Sequence, residues 1–468
     1  MVRSLQTQLV QMRETYETQI AVLKVENAAL KTRVADLEAK LRTNSRNSSK
    51  PPSTDGPAVP TPRSLRKRSG RQPGGQDGHR GQTLAQVADP DVVIRHEPAC
   101  CGGCGSDLHT APEVGCSRRQ VFDLPPIKVH VTEHQIITRR CRCGVSTAGD
   151  TPAQAGAPVH YGPVLCAVII YLFMGQFLSK KRTAQAIAEL FSIPVSDGTV
   201  AAVTARAAAD LDVFLAQVNA RLRASAVVHF DETGLRCQGR NHWLHSASTA
   251  QWTRLFFHRR RGRQAFDEMG VLPGFTGTAV HDAWAPYDTY TAASHALCNA
   301  HLLRELQAVT DHHHTSAAKG AWCWAEQVSQ ALLTLHAAAT AHPDRPVPAD
   351  IITAQTTRIR HALLAATHPD GAIGRKHRAL ARRIHHRETD YLKFAHHRAI
   401  PFTNNPAEQE IRMTKIRQKI SGTMRTQQGA ENFADLRSYL HTTTKHGIHA
   451  LDALTRLTSR NPWLPGYP

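Results

Sequence analysis

Ala226-Val-Val-His-Phe-Asp231-Glu-Thr233 is an apolar, β-prone run that ends in acid, and Thr278-Ala-Val-His-Asp282 repeats the same grammar further along. Both read as strands whose ends deliver a carboxylate, Asp231 and then Asp282. Between them, residues 242–249 and 253–258 read as two more strands and residues 262–269 as a helix. A third acid, Glu408, follows Thr403-Asn404-Asn405-Pro406-Ala407, where Asn405 suits a helix cap and Pro406 the first helical position. Glu408 then falls in the first turn, where the helix dipole favours the ionised carboxylate that hard, oxygen-seeking Mg²⁺ requires. Arg412, Lys415 and Lys419 follow at i+4, i+7 and i+11, so one helix face combines a metal ligand with phosphate-seeking cations. Glu410 points to another face and is the weaker candidate. A lone strand-end Asp is more often a turn former or helix cap than a ligand, so the argument rests on the three acids together.

Three strands, a helix and a fourth strand is the order of an RNase H-like fold. The interval from Asp282 to Glu408 exceeds what a compact core of that kind needs. Most of it, residues 317–394, is rich in Ala and His and helical in character, which predicts a helical insertion over 311–400 between core segments 226–310 and 401–468, the latter ending in C-terminal helices. Just ahead of the insertion, Cys298-Asn-Ala-His301-Leu-Leu-Arg304-Glu offers two metal ligands, too few for a site, and reads as a packed thiol and imidazole at the core edge. Arg259, Arg260, Arg261 and Arg263 read as a solvated loop, with phosphate contact as the functional alternative.

A chain of 468 residues exceeds one typical domain, and its formal net charge of +19 and pI near 9.8 suit a polyanionic partner. Ten cysteines without a secretory leader point to a reducing cytosol and to thiol or metal chemistry rather than disulfides. The longest apolar run, residues 164–174, is too short to span a bilayer and reads as a buried helix. The expectation is a soluble protein of the cytoplasm, associated with the nucleoid, with no membrane partner.

Towards the N-terminus, Ile20, Leu23, Asn27, Leu30, Val34, Leu37 and Leu41 fall on alternating three- and four-residue steps, which predicts a coiled coil over residues 1–42. Leu5, Leu9, Met12 and Tyr16 keep the rhythm in a shifted frame, implying a stutter near residue 18. Asn27 at an a-type position favours parallel pairing of two strands, hence a homodimer or higher oligomer; a single helix packed on its own chain is the alternative. Residues 43–82 read as a flexible Pro/Ser/Gly-rich tether carrying a basic strip, Arg63, Arg66, Lys67, Arg68 and Arg71, suited either to a DNA groove or to solvent. Cys101-Gly-Gly-Cys104-Gly and Cys141-Arg-Cys143-Gly each offer two thiolates to a tetrahedral structural Zn²⁺, with Cys100 able to replace Cys101. The stretch between, Val121-Phe-Asp-Leu124 and Ile127 to Ile137, reads as ribbon strands in a module over 83–150. Four thiolates leave no open position, so this zinc would not be catalytic. Residues 151–225 read as helical, with helices over 180–191 and 199–223 joined by Ser192-Ile-Pro-Val-Ser-Asp-Gly198 in helix-turn-helix style.

These blocks together resemble the DDE transposases of the insertion sequence sixty-six family. The resemblance is carried by His229-Phe-Asp231-Glu-Thr233, His281-Asp282-Ala-Trp-Ala-Pro-Tyr287 and Asn404-Asn405-Pro-Ala-Glu408. It extends to Arg71-Gln-Pro-Gly-Gly75-Gln-Asp-Gly78-His79-Arg-Gly81, the paired cysteines, Tyr161-Gly-Pro163, Pro194 to Val200, and Lys415 to Gly422. Gln409 stands where the family pattern has arginine, a departure at a basic DNA contact that leaves the metal site untouched. The resemblance implies a multidomain α+β protein: coiled coil, small zinc-ribbon-like module, helix-turn-helix-like domain, and RNase H-like α/β catalytic core with a helical insertion. It implies that Asp231, Asp282 and Glu408 hold two Mg²⁺ ions, or Mn²⁺ in their place, for cleavage at terminal inverted repeats and transfer into target DNA. Small accessory proteins of the same element are implied as further partners. No Gly-x-x-x-x-Gly-Lys-Ser/Thr loop occurs, so ATP is not expected to drive the reaction. Two other classes share part of the pattern: an RNase H-like nuclease without strand transfer, and a non-catalytic DNA-binding regulator derived from a transposase.

Overall fold

The structure is a computed structural model and describes residues 2–41, 44, 47, 84–125, 127–152, 156–316, 320–342, 345–368 and 374–466. The expected basic contacts Arg66, Lys67, Arg68 and Arg71, with most of the tether, lie outside the described residues. Two compact units emerge, residues 64–135 and residues 1–63 with 136–468. No helix among the described residues is long and apolar enough to cross a membrane.

Among the described residues of the smaller unit, the backbone runs largely without regular structure. Cys100 and Asp107 form an isolated antiparallel bridge, and Gln120 exchanges hydrogen bonds with both backbone groups of Val87 at 2.8 Å. The ribbon strand expected at 121–124 does not form, and the described residues 127–137 hold no strand either. The side chains explain it: Val121 and Val131 are 93% and 84% exposed, and a two-stranded ribbon that buries no apolar face has little to stabilise it.

The larger unit begins with α1 (Val2–Leu41), one continuous helix on which Ile20, Leu23, Leu30, Val34 and Leu37 are all exposed. A short hairpin, β1 (Thr138–Arg140) and β2 (Ser146–Ala148), carries Cys141 and Cys143 in its loop. Four helices follow: α2 (Pro163–Ile170), which continues as a π turn over Tyr171–Gly175, then α3 (Lys180–Phe191), α4 (Asp197–Ala209) and α5 (Asp212–Arg223). The single helix expected over 199–223 is thus two. The chain turns at Asp210 and Leu211 because Leu211, completely buried, is drawn into the core while the amides of both residues keep carbonyl partners in α4.

Next come β3 (Val227–Cys237), β4 (Arg240–Ser248), β5 (Thr253–His258), α6 (Arg263–Met269), β6 (Thr278–His281) and β7 (Ser294–Leu297). Their order in the sheet is β5-β4-β3-β6-β7, antiparallel from β5 to β3 and parallel from β3 to β7. Asp231 does not end its strand, because β3 runs on to Cys237 by pairing with β4. What ends near Asp231 is the parallel pairing to β6, whose last partners are His229 and Val280. Gly277 permits that pairing to start: a Cβ there would stand 2.6 Å from Ser225 O and 2.7 Å from Ala226 O.

A helical region then runs from α7 (Asn299–Ser316) through α8 (Trp324–Ala341), α9 (Ala349–Thr367), α10 (Arg375–His386) and α11 (Glu388–His396), starting earlier than the sequence indicates. It has its own apolar core around Leu306, Leu332, Leu335, Leu363 and Phe394, joined to the sheet through Val280 and Leu297. The chain returns as α12 (Asn405–Ser421), α13 (Gln427–Lys445) and α14 (Ala450–Thr458). α13 closes the β5 edge, since Ser438 Oγ and Thr442 Oγ1, one helical turn apart, accept the Leu255 and Thr253 amides at 2.8 and 3.1 Å.

Candidate metal centre

Continuing the parallel register of β3 and β6 by two residues sets Asp231 beside Asp282, the first residue past β6. Each carboxylate is held by a neighbouring backbone amide: Asp231 Oδ1 accepts from Glu232 N at 2.9 Å, and Asp282 Oδ1 accepts from Trp284 N at 3.0 Å. Of the remaining oxygens, Asp282 Oδ2 lies 3.6 Å from the Arg261 guanidinium.

Glu408 comes near these two acids because the residues ahead of α12 are pinned to two strands. Asn299 N, just past β7, donates to Phe402 O at 3.1 Å, and Asn404 N donates to Cys298 Sγ at 3.2 Å. The Asn404 side chain, 1% exposed as a residue, donates from Nδ2 to Phe230 O at 2.7 Å and accepts from His229 Nδ1 at 2.9 Å. It therefore grips β3 on the residues next to Asp231. This differs from the expected cap: α12 starts at Asn405, its N-cap position is Asn404, and the Asn404 side chain bonds the sheet instead of the helix's own amides. Pro406 is then the second helical residue, one position later than expected, and still within the first turn.

Burial raises the proton affinity of all three carboxylates, and neighbouring acids add to it. Burial pushes Asp231 well above the usual carboxylate range, helped by the charges of Glu232, Glu408 and Asp282. Asp282 is also raised by burial, against hydrogen bonding from Trp284 and the Arg261 charge. Glu408 is raised by burial and by Asp282, while Arg304 opposes. Glu408 Oε1 is buried with no hydrogen-bond partner. Clustered carboxylates in low dielectric with an unpartnered oxygen suit a divalent cation, which would offset both the repulsion and the lost hydration.

Residues to which the sequence assigned no part in the metal centre complete the setting. Glu232, the strand neighbour of Asp231, accepts from Arg261 Nε at 2.7 Å and from Tyr287 Oη at 2.6 Å. Burial raises Glu232 to about 7 despite that arginine. Arg261 is not part of a solvated loop: its guanidinium stacks 4.1 Å from the Trp284 ring centroid and 5.0 Å from that of Trp243, and it approaches Asp282 Oδ2 at 3.6 Å. The period-two side-chain alternation of a strand was the available signal, since an acid directly after Asp231 must face the other way and needs its own counter-charge. Glu410 indeed faces elsewhere, pairing with His441 and, at 2.6 Å, with Lys445. Arg412, Lys415 and Lys419 are exposed along α12.

Cys298 and His301 do not simply pack together. Their ligand atoms and a Glu408 oxygen all lie within 4.8 Å of one another. Burial raises the Cys298 thiol to about 11 and lowers His301 to about 3, so both are neutral at physiological pH.

The two cysteine turns share one local design. Cys101 O accepts from Gly105 N at 2.9 Å and Cys101 N donates to Ser106 O at 2.8 Å. Cys141 O likewise accepts from Gly144 N at 2.9 Å and Cys141 N donates to Val145 O at 2.8 Å, so the second loop is the first with one residue removed. Gly105 and Gly144 adopt φ of 76° and 92°, which only glycine takes without strain. A hydrogen bond with Ser106 leads in lowering the Cys104 thiol to about 7, and Cys141 is lowered by its bonds to Cys143.

Comparison with known families gives the class to which this combination of sheet, acids and cysteine turns belongs. Residues 158–432, which include Asp231, Asp282 and Glu408, match the Transposase IS66 family, and residues 98–144, which include both cysteine turns, match the zinc-finger binding domain of transposase IS66. Residues 3–85 match a family of unknown function. No curated protein sequence matches the chain. The chain belongs to the Transposase IS66 family.

Proposed function

We propose that this transposase is a DDE enzyme in which Asp231, Asp282 and Glu408 hold two Mg²⁺ ions, or Mn²⁺ in their place, to cut and join DNA. The observation that carries the reading is the approach of three carboxylates from β3, β6 and α12, each with raised proton affinity, around an unpartnered Glu408 oxygen. The sheet order, with three antiparallel strands followed by two parallel ones, supports an RNase H-like core, in which the acids occupy the central strands and a late helix. Bound there, the cations supply Lewis-acid charge to an attacking water or 3′-hydroxyl and to the leaving oxygen.

The chain's own residues do the rest. Arg261, fixed by Glu232 and two tryptophans, holds Asp282 in place, and Asn404 holds the start of α12 against β3 so that Glu408 keeps its distance from Asp231. Arg412, Lys415 and Lys419 give α12 a cationic face for phosphates, and Arg66, Lys67, Arg68 and Arg71 add a basic strip on the tether. Cys101, Cys104, Cys141 and Cys143 are thiolate donors to structural Zn²⁺; glycine-assisted turns that leave Cys104, Cys141 and Cys143 exposed and Cys101 half-buried fit that role. The exposed apolar stripe of α1 serves coiled-coil dimerisation, and α3 with α4 serves as a helix-turn-helix-like DNA-binding pair. Partners are then the terminal inverted repeats, target DNA and a second copy of the chain.

The test is incubation of purified protein with labelled element-end DNA and Mg²⁺. Cleavage followed by joined product supports the reading. Cleavage without joining gives the nuclease, and binding without cleavage gives the regulator. A truncation lacking residues 1–42 that stays dimeric at low concentration would remove the role given to α1.

A further inference from the structure

We infer that Cys298, His301 and Glu408 form a binding site for a thiophilic divalent cation of the Zn²⁺ or Cd²⁺ class, whose occupation withdraws Glu408 from the magnesium centre. Cys298 is the residue just before α7 and His301 lies three positions on in its first turn, so both side chains fall on one side of the helix start. Glu408 comes from the first turn of α12. Their three ligand atoms, a sulfur, an imidazole nitrogen and a carboxylate oxygen, lie within 4.8 Å of one another.

Two of these atoms make no hydrogen bond. His301 Nδ1 and Glu408 Oε1 are both buried without a hydrogen-bond partner and stand 3.8 Å apart, too far to bond each other. A tetrahedral ion with bonds of about 2.0–2.3 Å sets its ligands roughly 3.3–3.8 Å apart, so a small closure brings this set to coordination distance. The sulfur is already oriented, since Cys298 Sγ accepts the Asn404 amide at 3.2 Å. Binding would displace the thiol proton to solvent, with no change of oxidation state.

The donor set decides the metal class. Mg²⁺ takes oxygen ligands in octahedral geometry and gains nothing from a thiol or imidazole, whereas a soft or borderline ion gains from both. Three protein ligands leave a fourth position for water. The binding site stands on its geometry alone; the inhibitory consequence rests on the assignment of Glu408 to the magnesium centre.

The experiment is a Co²⁺ titration of the full-length chain carrying one equivalent of zinc, enough only for the four-cysteine site, read by thiolate-to-cobalt charge-transfer absorption, on wild type, Cys298→Ser and His301→Gln. One further cobalt equivalent with thiolate absorption is expected in wild type, no such band in Cys298→Ser, and at least tenfold weaker binding in His301→Gln. No further band in wild type, or an undiminished one in Cys298→Ser, overturns the site. Should Cys298→Ser fail to fold because Asn404 N no longer has a sulfur to bond, His301→Gln decides, because it leaves the thiol intact and cobalt binding equal to wild type would overturn the site. Zn²⁺ is then added to the Mg²⁺-dependent cleavage assay. Inhibition weakened in His301→Gln in proportion to cobalt affinity supports the competition. Cobalt binding without inhibition overturns the competition and, with it, the role of Glu408 as a magnesium ligand.

Discussion

Replacing Asn404 with alanine tests how a helix far along the chain is held beside two strand acids. The substitution removes the hydrogen bond to Phe230 O at 2.7 Å and that from His229 Nδ1 at 2.9 Å, and leaves both partners buried. An unsatisfied buried polar group costs about 1–3 kcal/mol, so two neutral ones, partly relieved by water, give a loss of about 2–4 kcal/mol. In a domain of this size each kcal/mol lowers Tm by roughly 2–4 °C, so a fall on the order of 10 °C is expected in thermal denaturation. The functional effect is larger than stability alone dictates. If α12 drifts by about 1 Å, catalytic groups lose alignment and the rate falls about 100-fold. Leu335→Ala is the control: it empties a fully buried site in α8 and costs a similar or larger amount, about 2–5 kcal/mol, without touching the acids. Measured at a temperature where all three proteins are folded, Mg²⁺-dependent cleavage is expected to drop in Asn404→Ala and to persist in Leu335→Ala. Equal cleavage by the two variants, or an Asn404→Ala protein as stable as wild type, would refute the latch.

Gly277→Ala should destabilise the metal-free protein by about 1–3 kcal/mol in urea titration, since its Cβ meets two backbone carbonyl oxygens that cannot move aside. Glu410 is held down at about 2: burial alone would raise it, but hydrogen bonding and charge from His441 and Lys445 prevail. Because its folded value lies below the unfolded one of about 4.3, this contribution is present above that pH and is lost as pH falls towards 2. The stability difference between wild type and Glu410→Gln should therefore be largest near neutral pH and shrink through that acid window; a difference independent of pH contradicts the pairing. Alanine at Arg412, Lys415 and Lys419 together should weaken DNA binding for all sequences alike and flatten the plot of log affinity against log salt by about 0.9 for each phosphate no longer neutralised. An unchanged slope removes this face from the DNA interface.

The elements that hold the acids are largely legible in the sequence. The strand-like runs 242–249 and 253–258 and the helix at 262–269 lie within a residue or two of β4, β5 and α6, and both strands are buried along most of their length. Sequence pattern ends β3 too early, at Asp231, because the run past it, Glu232 to Cys237, carries polar groups satisfied only by distant partners such as Arg261 and Tyr287. For the same reason Asn404 looks like an ordinary residue before a helix: its function lies in bonds to β3, and local sequence carries no trace of them. The ribbon at 121–137 shows the opposite failure. Its residues favour β structure by composition, but that preference is a preference for a surface to pack on, and these side chains have none. Cys298 and His301 read as a pair because their spacing is local, and the third ligand arrives from across the fold.

Whether the three acids form one catalytic centre is tested most directly by cleavage and joining of labelled element-end DNA in Mg²⁺ by wild type and by Asp231→Asn, Asp282→Asn and Glu408→Gln, each first shown to be folded and to bind DNA as wild type does. The expected result is joined product from wild type and loss of both cleavage and joining in every variant. A variant that still cuts and joins would contradict the assignment of that carboxylate.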